Sequence, residues 1–400
     1  MAHSVRPRGP RTSTAFLRVG LYYLICWSTL ALLWPANVPG GRWWVAGLAA
    51  VTMAPLVSFI ARGGWSHYPT AAFRLFVVRP VLYMQLLLPL VSAAGIIGIA
   101  VGAIVGAPMA GGRIAACIVL AAMLTLFLIG YIGTRRLVVR SIDATIPTLP
   151  AEFDGLRIAQ ISDLHIGPQT SKRFLADVDR TIAALAPDLI AVTGDMIDDH
   201  AEDVAHYAAA LGALHAPLGV YLIPGNHDVY AGWPAVEQRL RDSALGATVL
   251  VNEARVLSRG DARIALVGTG DPAGRRSSDG DVAPDIDRAL AGTPVNTIVI
   301  ALAHNPALWP ALAERGVALT LSGHTHWEQF AMPRLGWSLA SPFLARAMGV
   351  HESDGSLLYI HPGTGYWGIP FRVGAAPEVA LITLRTGAPA AVQMSRARAA

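Results

Sequence analysis

Acidic side chains are missing from the first third of this chain: no Asp or Glu precedes Asp143. The same stretch holds twelve Arg, so it carries +12, while the remaining 19 basic and 27 acidic residues give −8. Charged residues are scarce overall, at 14% against 53% hydrophobic, where a soluble domain carries about a quarter. That excludes a single ordinary soluble domain, and 400 residues favour two. Cysteine is nearly absent. Cys26 and Cys117 both lie in apolar stretches, which excludes a disulfide framework or a zinc–thiolate site and reads as packed small hydrophobes. No basic run with interleaved aromatics is present, so no nucleic-acid surface is evident. There is no internal repeat or extended low-complexity tract.

What is present first is a series of four apolar stretches, each near the roughly 20 residues a bilayer-spanning helix needs. They run from Ala15 to Ala36, Trp43 to Ala61, Pro80 to Ala107 and Ile114 to Gly133. Trp34, Trp43, Trp44 and Tyr131 sit near their ends, where amphipathic rings favour the headgroup layer. A cleaved signal peptide is a poor account, because further apolar spans follow the first. Gln85, inside the third, marks a helix–helix contact. Arginines alternate in density. Arg6, Arg8, Arg11 and Arg18 precede the first span, Arg62, Arg74 and Arg79 follow the second, and Arg135, Arg136 and Arg140 follow the fourth. The other two connections hold only Arg42 and Arg113. The positive-inside rule then predicts a multi-pass inner-membrane protein whose C-terminal domain faces the cytoplasm. The expected domains are 1–134, with four transmembrane helices, and 135–400.

Beyond Arg140 the texture changes. Leu156–Ile161, Leu189–Thr193, Val220–Ile223, Arg263–Val267, Thr297–Ala301 and Ala318–Leu321 are short apolar runs that read as buried strands. Ser171–Leu185, Asp203–Leu214 and Trp233–Ser243 read as helices between some of them. This alternation predicts an α/β domain. Asp271–Asp285, rich in Gly, Ser, Asp and Pro, reads as a loop.

Five of these strands end in side chains able to hold a metal ion. They lead into Asp163-Leu164-His165, Gly194-Asp195-Met196-Ile197-Asp198, Gly225-Asn226-His227-Asp228, His304-Asn305-Pro306 and Gly323-His324-Thr325-His326. Open α/β sheets place their sites at the carboxyl ends of strands, so the five ends point to one crevice. In extended backbone residues i and i+2 point the same way, which would let Asp163 with His165, and His324 with His326, face it together. Carboxylate, imidazole and amide oxygen suit Mn, Fe, Zn or Mg. The donors outnumber what one tetrahedral ion uses, so two divalent ions are expected. The remaining histidines, His3, His67, His200, His206, His215, His351 and His361, read as core or surface residues.

The ordered D-x-H, G-D-x-x-D, G-N-H-D, single-His and G-H-x-H series resembles the calcineurin-like metallophosphoesterase superfamily over roughly residues 150 to 380. Ile158–His165 and Leu321–His326 are similar to its bacterial membrane-associated branch. The resemblance implies a four-layer α/β/β/α sandwich, here preceded by an all-α membrane domain of four transmembrane helices. It implies that Asp163, His165 and His326 hold one ion, that Asn226, His304 and His324 hold the other, and that Asp195 bridges them. His227 resembles the family's catalytic histidine, with Asp228 beside it to favour its protonated form, and Asp198 supports a ligand rather than being one. Two ions about 3.5–4 Å apart activate a water and clamp the phosphoryl oxygens. Where many relatives continue with two glycines, this chain has Trp327-Glu328, which predicts a bulkier, acidic rim. Arg275 and Arg276 either bind a substrate phosphate or belong to a solvated loop.

The leading expectation is an enzyme that hydrolyses a phosphomonoester, phosphodiester or pyrophosphate. In one version the substrate is lipid-linked. The apolar segment Phe330–Val350, with Trp337, Phe343 and Leu344, would be a flap resting on the lipid bilayer, and bacterial UDP-diacylglucosamine hydrolases of the superfamily offer an analogue. A catalytically silent membrane scaffold or sensor is the alternative, although no ligand position is lost. A transporter is disfavoured, since the spans hold no acidic residue.

Overall fold

The computed structural model describes residues 12–35, 38–61, 70–167, 170–198, 200–243, 246–277, 280–387 and 393–399. The chain divides into two units, one ending at Leu128 and one beginning at Ile129. The division falls inside a helix, a few residues before the boundary expected at 134.

The described residues of the first unit form helices and their short connections. It contains α1 (Thr12–Leu33), α2 (Gly41–Ala61), the short α3 (Ala71–Phe73) running through a π turn into α4 (Arg79–Ile104), and α5 (Pro108–Gly133), whose last turn belongs to the second unit. Two helical stretches, Arg74–Ile104 and Pro108–Gly133, are long and apolar enough to cross a membrane, with mean hydropathies of 2.3 and 2.5. Four were expected, so the count among the described residues is corrected to two. The first expected span lies in the helix α1, whose described apolar part is Gly20–Leu33. The second is a helix of 21 residues and is not among the two.

Tyr23, Cys26 and Trp27 of α1 bury themselves with Val45 of α2 and Leu88 of α4. Gln85 does join helices. Tyr22 donates its hydroxyl to the Gln85 carbonyl at 3.2 Å, and Tyr23 bonds the Gln85 side-chain oxygen. Small residues let α4 and α5 approach closely, since a Cβ on Gly98 would strike the Gly111 backbone. Cys26 is buried as expected, whereas Cys117 is exposed on α5.

The second unit holds β1 (Val138–Thr145), β2 (Arg157–Ile161), α6 (Lys172–Leu185), β3 (Leu189–Val192), α7 (Val204–Leu211), β4 (Val220–Leu222), α8 (Asn226–Tyr230), α9 (Trp233–Asp242), β5 (Thr248–Val249), β6 (Glu253–Arg259), β7 (Ala262–Gly268), α10 (Ile286–Leu290), β8 (Ile298–Leu302), α11 (Trp309–Ala313), β9 (Leu319–Ser322), β10 (Ala331–Met332), β11 (Trp337–Ser338), β12 (Gly349–Ser353), β13 (Ser356–Ile360), β14 (Glu378–Arg385) and β15 (Gln393–Arg398). One sheet has the order β15-β1-β14-β2-β3-β4-β5 and the other β12-β13-β9-β8-β7-β6. Strands β2 to β5 run parallel in the first, as do β7, β8, β9 and β13 in the second.

Three apolar clusters define the layers. Ile158, Leu189, Ala191 and Ile223 of the first sheet's face meet Ile264, Leu266, Ile300, Leu302 and Leu321 of the second. On its outer face the first sheet packs Ile190, Val192 and Leu222 against Leu175, Val178 and Ile182 of α6, Tyr207 of α7 and Val236 of α9. The second sheet packs Ala265, Val267, Val299 and Ala301 against Ala289 of α10 and Leu312 of α11. This is the expected α/β/β/α sandwich. Strands covered on both faces read as continuous apolar runs rather than alternating ones, which is why β2, β3, β4, β7, β8 and β9 match the six runs in the sequence. Ser171 caps α6 by accepting from the Phe174 N–H, and the helix buries Leu175, Val178 and Ile182 at helical spacing.

Candidate metal centre

The loops after β2, β3, β4, β8 and β9 converge. His165 Nε2 lies 3.0 Å from His326 Nε2 and 3.6 Å from Asp195 Oδ2, and Asp163 Oδ1 lies 3.3 Å from His326 Nε2. Asp163, His165, Asp195 and His326 thus form a buried group able to hold an ion. Beside it, Asn226 Oδ1 lies 2.7 Å from His324 Nδ1 and 3.2 Å from His304 Nε2, which is 3.3 Å from Asp195 Oδ2. Asp195 therefore reaches both groups.

These spacings fit a cation. Ligands about 2.0–2.2 Å from a metal in tetrahedral or octahedral array stand about 3.0–3.5 Å from one another. His304 carries a further sign. Its Nδ1 lies 2.7 Å from the Thr193 carbonyl, which can only accept, so Nδ1 holds a proton and Nε2 faces two acceptor oxygens. A metal ion or a second ring proton resolves that arrangement.

The backbone that aims these ligands is not the extended chain expected from the i, i+2 spacing. Asp163 (φ 53°), His165 (45°), Asp195 (50°), His324 (72°) and His326 (48°) are all left-handed. The strands stop one residue or more before each ligand, and the chain coils back over the sheet ends. Residues other than Gly held there cost about 1–3 kcal/mol each and collect at functional sites. Hydrogen bonds hold the coils. Asp163 accepts from the His324 N–H at 3.0 Å, Asp195 from the His227 N–H at 2.8 Å, and the His165 N–H donates to the Asp195 carbonyl at 3.1 Å. Two motif glycines permit the approach. A Cβ on Gly225 would overlap Asp195 Oδ1, and one on Gly323 would overlap Asp163 Oδ2.

The charges are coupled. Burial opposes ionisation of Asp195, but the His304 ring, with His165 and His227 adding, holds it well below the usual carboxylate range. Burial likewise opposes a charge on His304, and Asp195, then Asp163 and Asp271, carry it well above the ordinary histidine value. His324 is pushed down to about 4, first by burial and then by His304. Burial, then His165 and Arg372, take His326 well below the histidine range.

His227 sits at the margin of the group, its ring 4.7 Å from that of His165. Its Nδ1 is 2.9 Å from the Asp198 carbonyl and 3.8 Å from the Asp198 carboxylate. Asp198 also reaches His165 Nδ1 at 3.4 Å. Asp228, expected beside His227 to favour its protonated form, has other partners. Its buried carboxylate accepts the N–H groups of Met196, Ile197 and Gly225 at 2.9–3.3 Å, tying the β3 and β4 loops together. Among the described residues, Asp198 contacts the His227 ring.

The expected bulky rim is also corrected. Trp327 (φ 52°) and Glu328 (φ 50°) occupy the left-handed backbone that glycine favours. The indole turns inward, donates to the Ile360 carbonyl at 3.0 Å and packs with Trp309 and Leu358, so only Glu328 is exposed. Arg275 and Arg276 are exposed on a 3-10 turn that packs on α8, which carries Asn226 and His227.

Several neighbours of the site had no motif to betray them. Tyr230 and Trp367 flank His227 with ring centroids at 5.6 and 5.8 Å, and both are more than half exposed. Gln329 holds Trp367 by two 3.0 Å bonds from its side-chain amide to the Trp367 backbone. Arg372 is buried behind His326, 3.3 Å from its Nδ1, and donates to the carbonyls of Pro362 and Ala375. Gln160 ties the sheets beneath the ligands through Thr193 Oγ1 and the Ser322 carbonyl. Of these, only Gln160 left a sign, a polar residue inside an apolar strand.

Comparison with known proteins agrees with this geometry. A family described as calcineurin-like phosphoesterase matches residues 156–328, which contain all seven candidate ligands. A Danio rerio protein named "Transmembrane protein with metallophosphoesterase domain" is 32% identical over 61% of this chain and 57% of its own length. A Helicobacter pylori protein, named only as a metallophosphoesterase that is uncharacterized, is 33% identical over 57% of this chain and 60% of its own. The chain thus spans less than two thirds of either. It covers 90% of the Bacillus subtilis metallophosphoesterase YkuE, at 31% identity over 64% of this chain. With the ligand series assembled on the sandwich and that relative matched almost end to end, the chain belongs to the calcineurin-like phosphoesterase family.

Proposed function

We propose that this protein is a membrane-anchored phosphoesterase that uses two divalent ions, drawn from Mn, Fe, Zn or Mg, to hydrolyse a phosphate ester at the cytoplasmic face of the membrane. The observation that carries the reading is the double convergence on Asp195. His165 Nε2 and His304 Nε2, from strand ends far apart in sequence, both face its Oδ2, at 3.6 and 3.3 Å. Bound ions would supply Lewis acidity toward phosphoryl oxygens and an activated water.

The chain's own residues supply the rest. Asp195 and Asp163, both buried, provide the negative charge that draws cations into the crevice. His227 protonates the departing oxygen. The Asp198 carbonyl holds its Nδ1 as a donor, which orients the ring for proton transfer. Tyr230 and Trp367 wall the approach to His227 with aromatic surface. Arg275 and Arg276 stand where an exposed substrate phosphate could be met.

The two membrane-length helices and the transmembrane relatives support anchoring. The arginine distribution supports a cytoplasmic catalytic domain. The exposed apolar surface between Met332 and Leu344 favours a lipid-linked substrate. The test is hydrolysis of nitrophenyl phosphate and bis(nitrophenyl) phosphate by the full chain loaded with each ion, beside the chelated protein. Turnover that needs the added ion is expected. A folded, metal-loaded chain inert on both, and on lipid phosphates, would favour the silent scaffold.

A further inference from the structure

The segment after the last ligand motif is unusual for a surface. From Phe330 to Val350 it holds Arg334 and Arg346 and no acidic residue. Leu335 is 73% exposed and Phe343 84%, and Met332, Leu339 and Leu344 are exposed beside them. Large apolar side chains clustered on an exposed surface and flanked by Arg mark an interaction site.

The root of this segment shows what it faces. Ala331 donates its N–H to the Val373 carbonyl at 2.8 Å, and Val373 donates to the Gln329 carbonyl at 2.9 Å. The Phe330 and Phe371 rings lie nearly parallel, 6 degrees apart in plane. Phe371 in turn lies over Gly130, and the Arg372 N–H donates to the Gly130 carbonyl at 2.9 Å. Gly133 is pressed on the Arg372 carbonyl, where no side chain would fit. The flap, the strap 371–373 and the last turn of α5 are therefore one continuous structure. Arg135 and Arg136, both exposed, follow that turn.

We infer that this flap is a second membrane contact: Leu335, Leu339, Phe343 and Leu344 enter the acyl region of the bilayer, and Arg334 meets anionic phospholipid headgroups. The inference rests on the reading of α5 as a membrane span. A helix leaving the bilayer at Gly133 fixes the strap at the headgroup layer, and the strap holds the root of the flap. Apolar side chains with flanking arginine are the composition of surfaces that lie in that layer. At the same root, Gln329 brackets Trp367 beside His227. A phosphate ester at headgroup depth would thus meet the catalytic margin without leaving the membrane surface.

The test uses the full chain in nanodiscs of phosphatidylcholine and phosphatidylglycerol, with and without acyl-chain nitroxide lipid. Single cysteines carry an environment-sensitive fluorophore in a Cys26→Ala background. Native Cys117, exposed on α5, reports the span. Phe343→Cys reports the flap and Val295→Cys, at an 89% exposed position, reports water, both with Cys117→Ala. The expected result is nitroxide quenching at Cys117 and at Phe343→Cys, with none at Val295→Cys. Quenching at Cys117 with none at Phe343→Cys overturns the inference. So does a blue-shifted but unquenched Phe343→Cys probe, which would place a protein surface or a second copy there. An unquenched Cys117 overturns the anchoring reading itself. Phe343→Asp with Leu344→Asp should abolish quenching of a Leu335→Cys probe and leave hydrolysis of a soluble nitrophenyl ester unchanged.

Discussion

His227 is the residue whose role separates chemistry from metal binding. Its Nδ1 is engaged by Asp198, and its backbone N–H, not its ring, reaches the shared carboxylate of Asp195. His227→Ala should therefore keep both ions and lower the rate by roughly 10²–10⁴, the usual share of general acid catalysis. The loss should be smaller for a nitrophenyl ester, whose leaving group needs little protonation, than for an alkyl ester. Equal losses on the two would show that the ring binds the phosphoryl group instead. The donors that the structure brings together were legible in the sequence because each is a distinctive donor set beside a glycine or at a strand end. Asp198 outranking Asp228 was not, since the choice depends on how the β3 loop crosses the β4 loop. Nor were Arg372, Gln329 and Trp367, whose partners lie in separate loops and whose types recur all over the chain.

At the level of elements, the legible strands were those buried on both faces. Strand β1 was hidden because Arg140 and Asp143 interrupt it, and β14 because it opens on Glu378. Structure explains the charges. Arg140 Nε bonds Glu378 Oε2 at 2.7 Å, 238 residues away, and Tyr359 bonds the other carboxylate oxygen. Each charge alone argues against burial, and only the pair permits it. Removing one partner should leave the other stranded. Glu378→Ala should destabilise the domain by about 3–5 kcal/mol, read as a fall in the denaturant midpoint. A shift within error would mean that water already screens the pair. The membrane helices show a different limit. Apolar runs marked where α1, α2, α4 and α5 lie, and among the described residues Arg74–Ile104 and Pro108–Gly133 are the stretches long and apolar enough to cross a membrane.

For the molecule as a whole, metal binding and protonation are linked through the crevice. Without a metal, His304 is held well above the ordinary histidine value, so near neutral pH it carries the second ring proton on Nε2, where an ion would bond. His324, near 4, and His326, lower than normal, are already neutral there. The raised His304 favours the metal-free fold below the unfolded histidine value of about 6.5, and that contribution fades as pH rises through the folded value. An ion must displace its proton, so affinity should increase with pH through neutrality, with about one proton released per chain. Titration calorimetry in buffers of different ionisation enthalpy reads this directly. No release would mean that His304 is neutral or not a ligand.

The central claim is that Asp195 joins two metal sites. Elemental analysis of the purified full chain, beside Asp195→Asn, tests it most directly. Close to two divalent ions per chain are expected in the wild type, with both sites weakened in the variant, because His165 and His304 each lose the carboxylate oxygen that faces them. One ion per chain, unchanged by Asp195→Asn, would contradict the account.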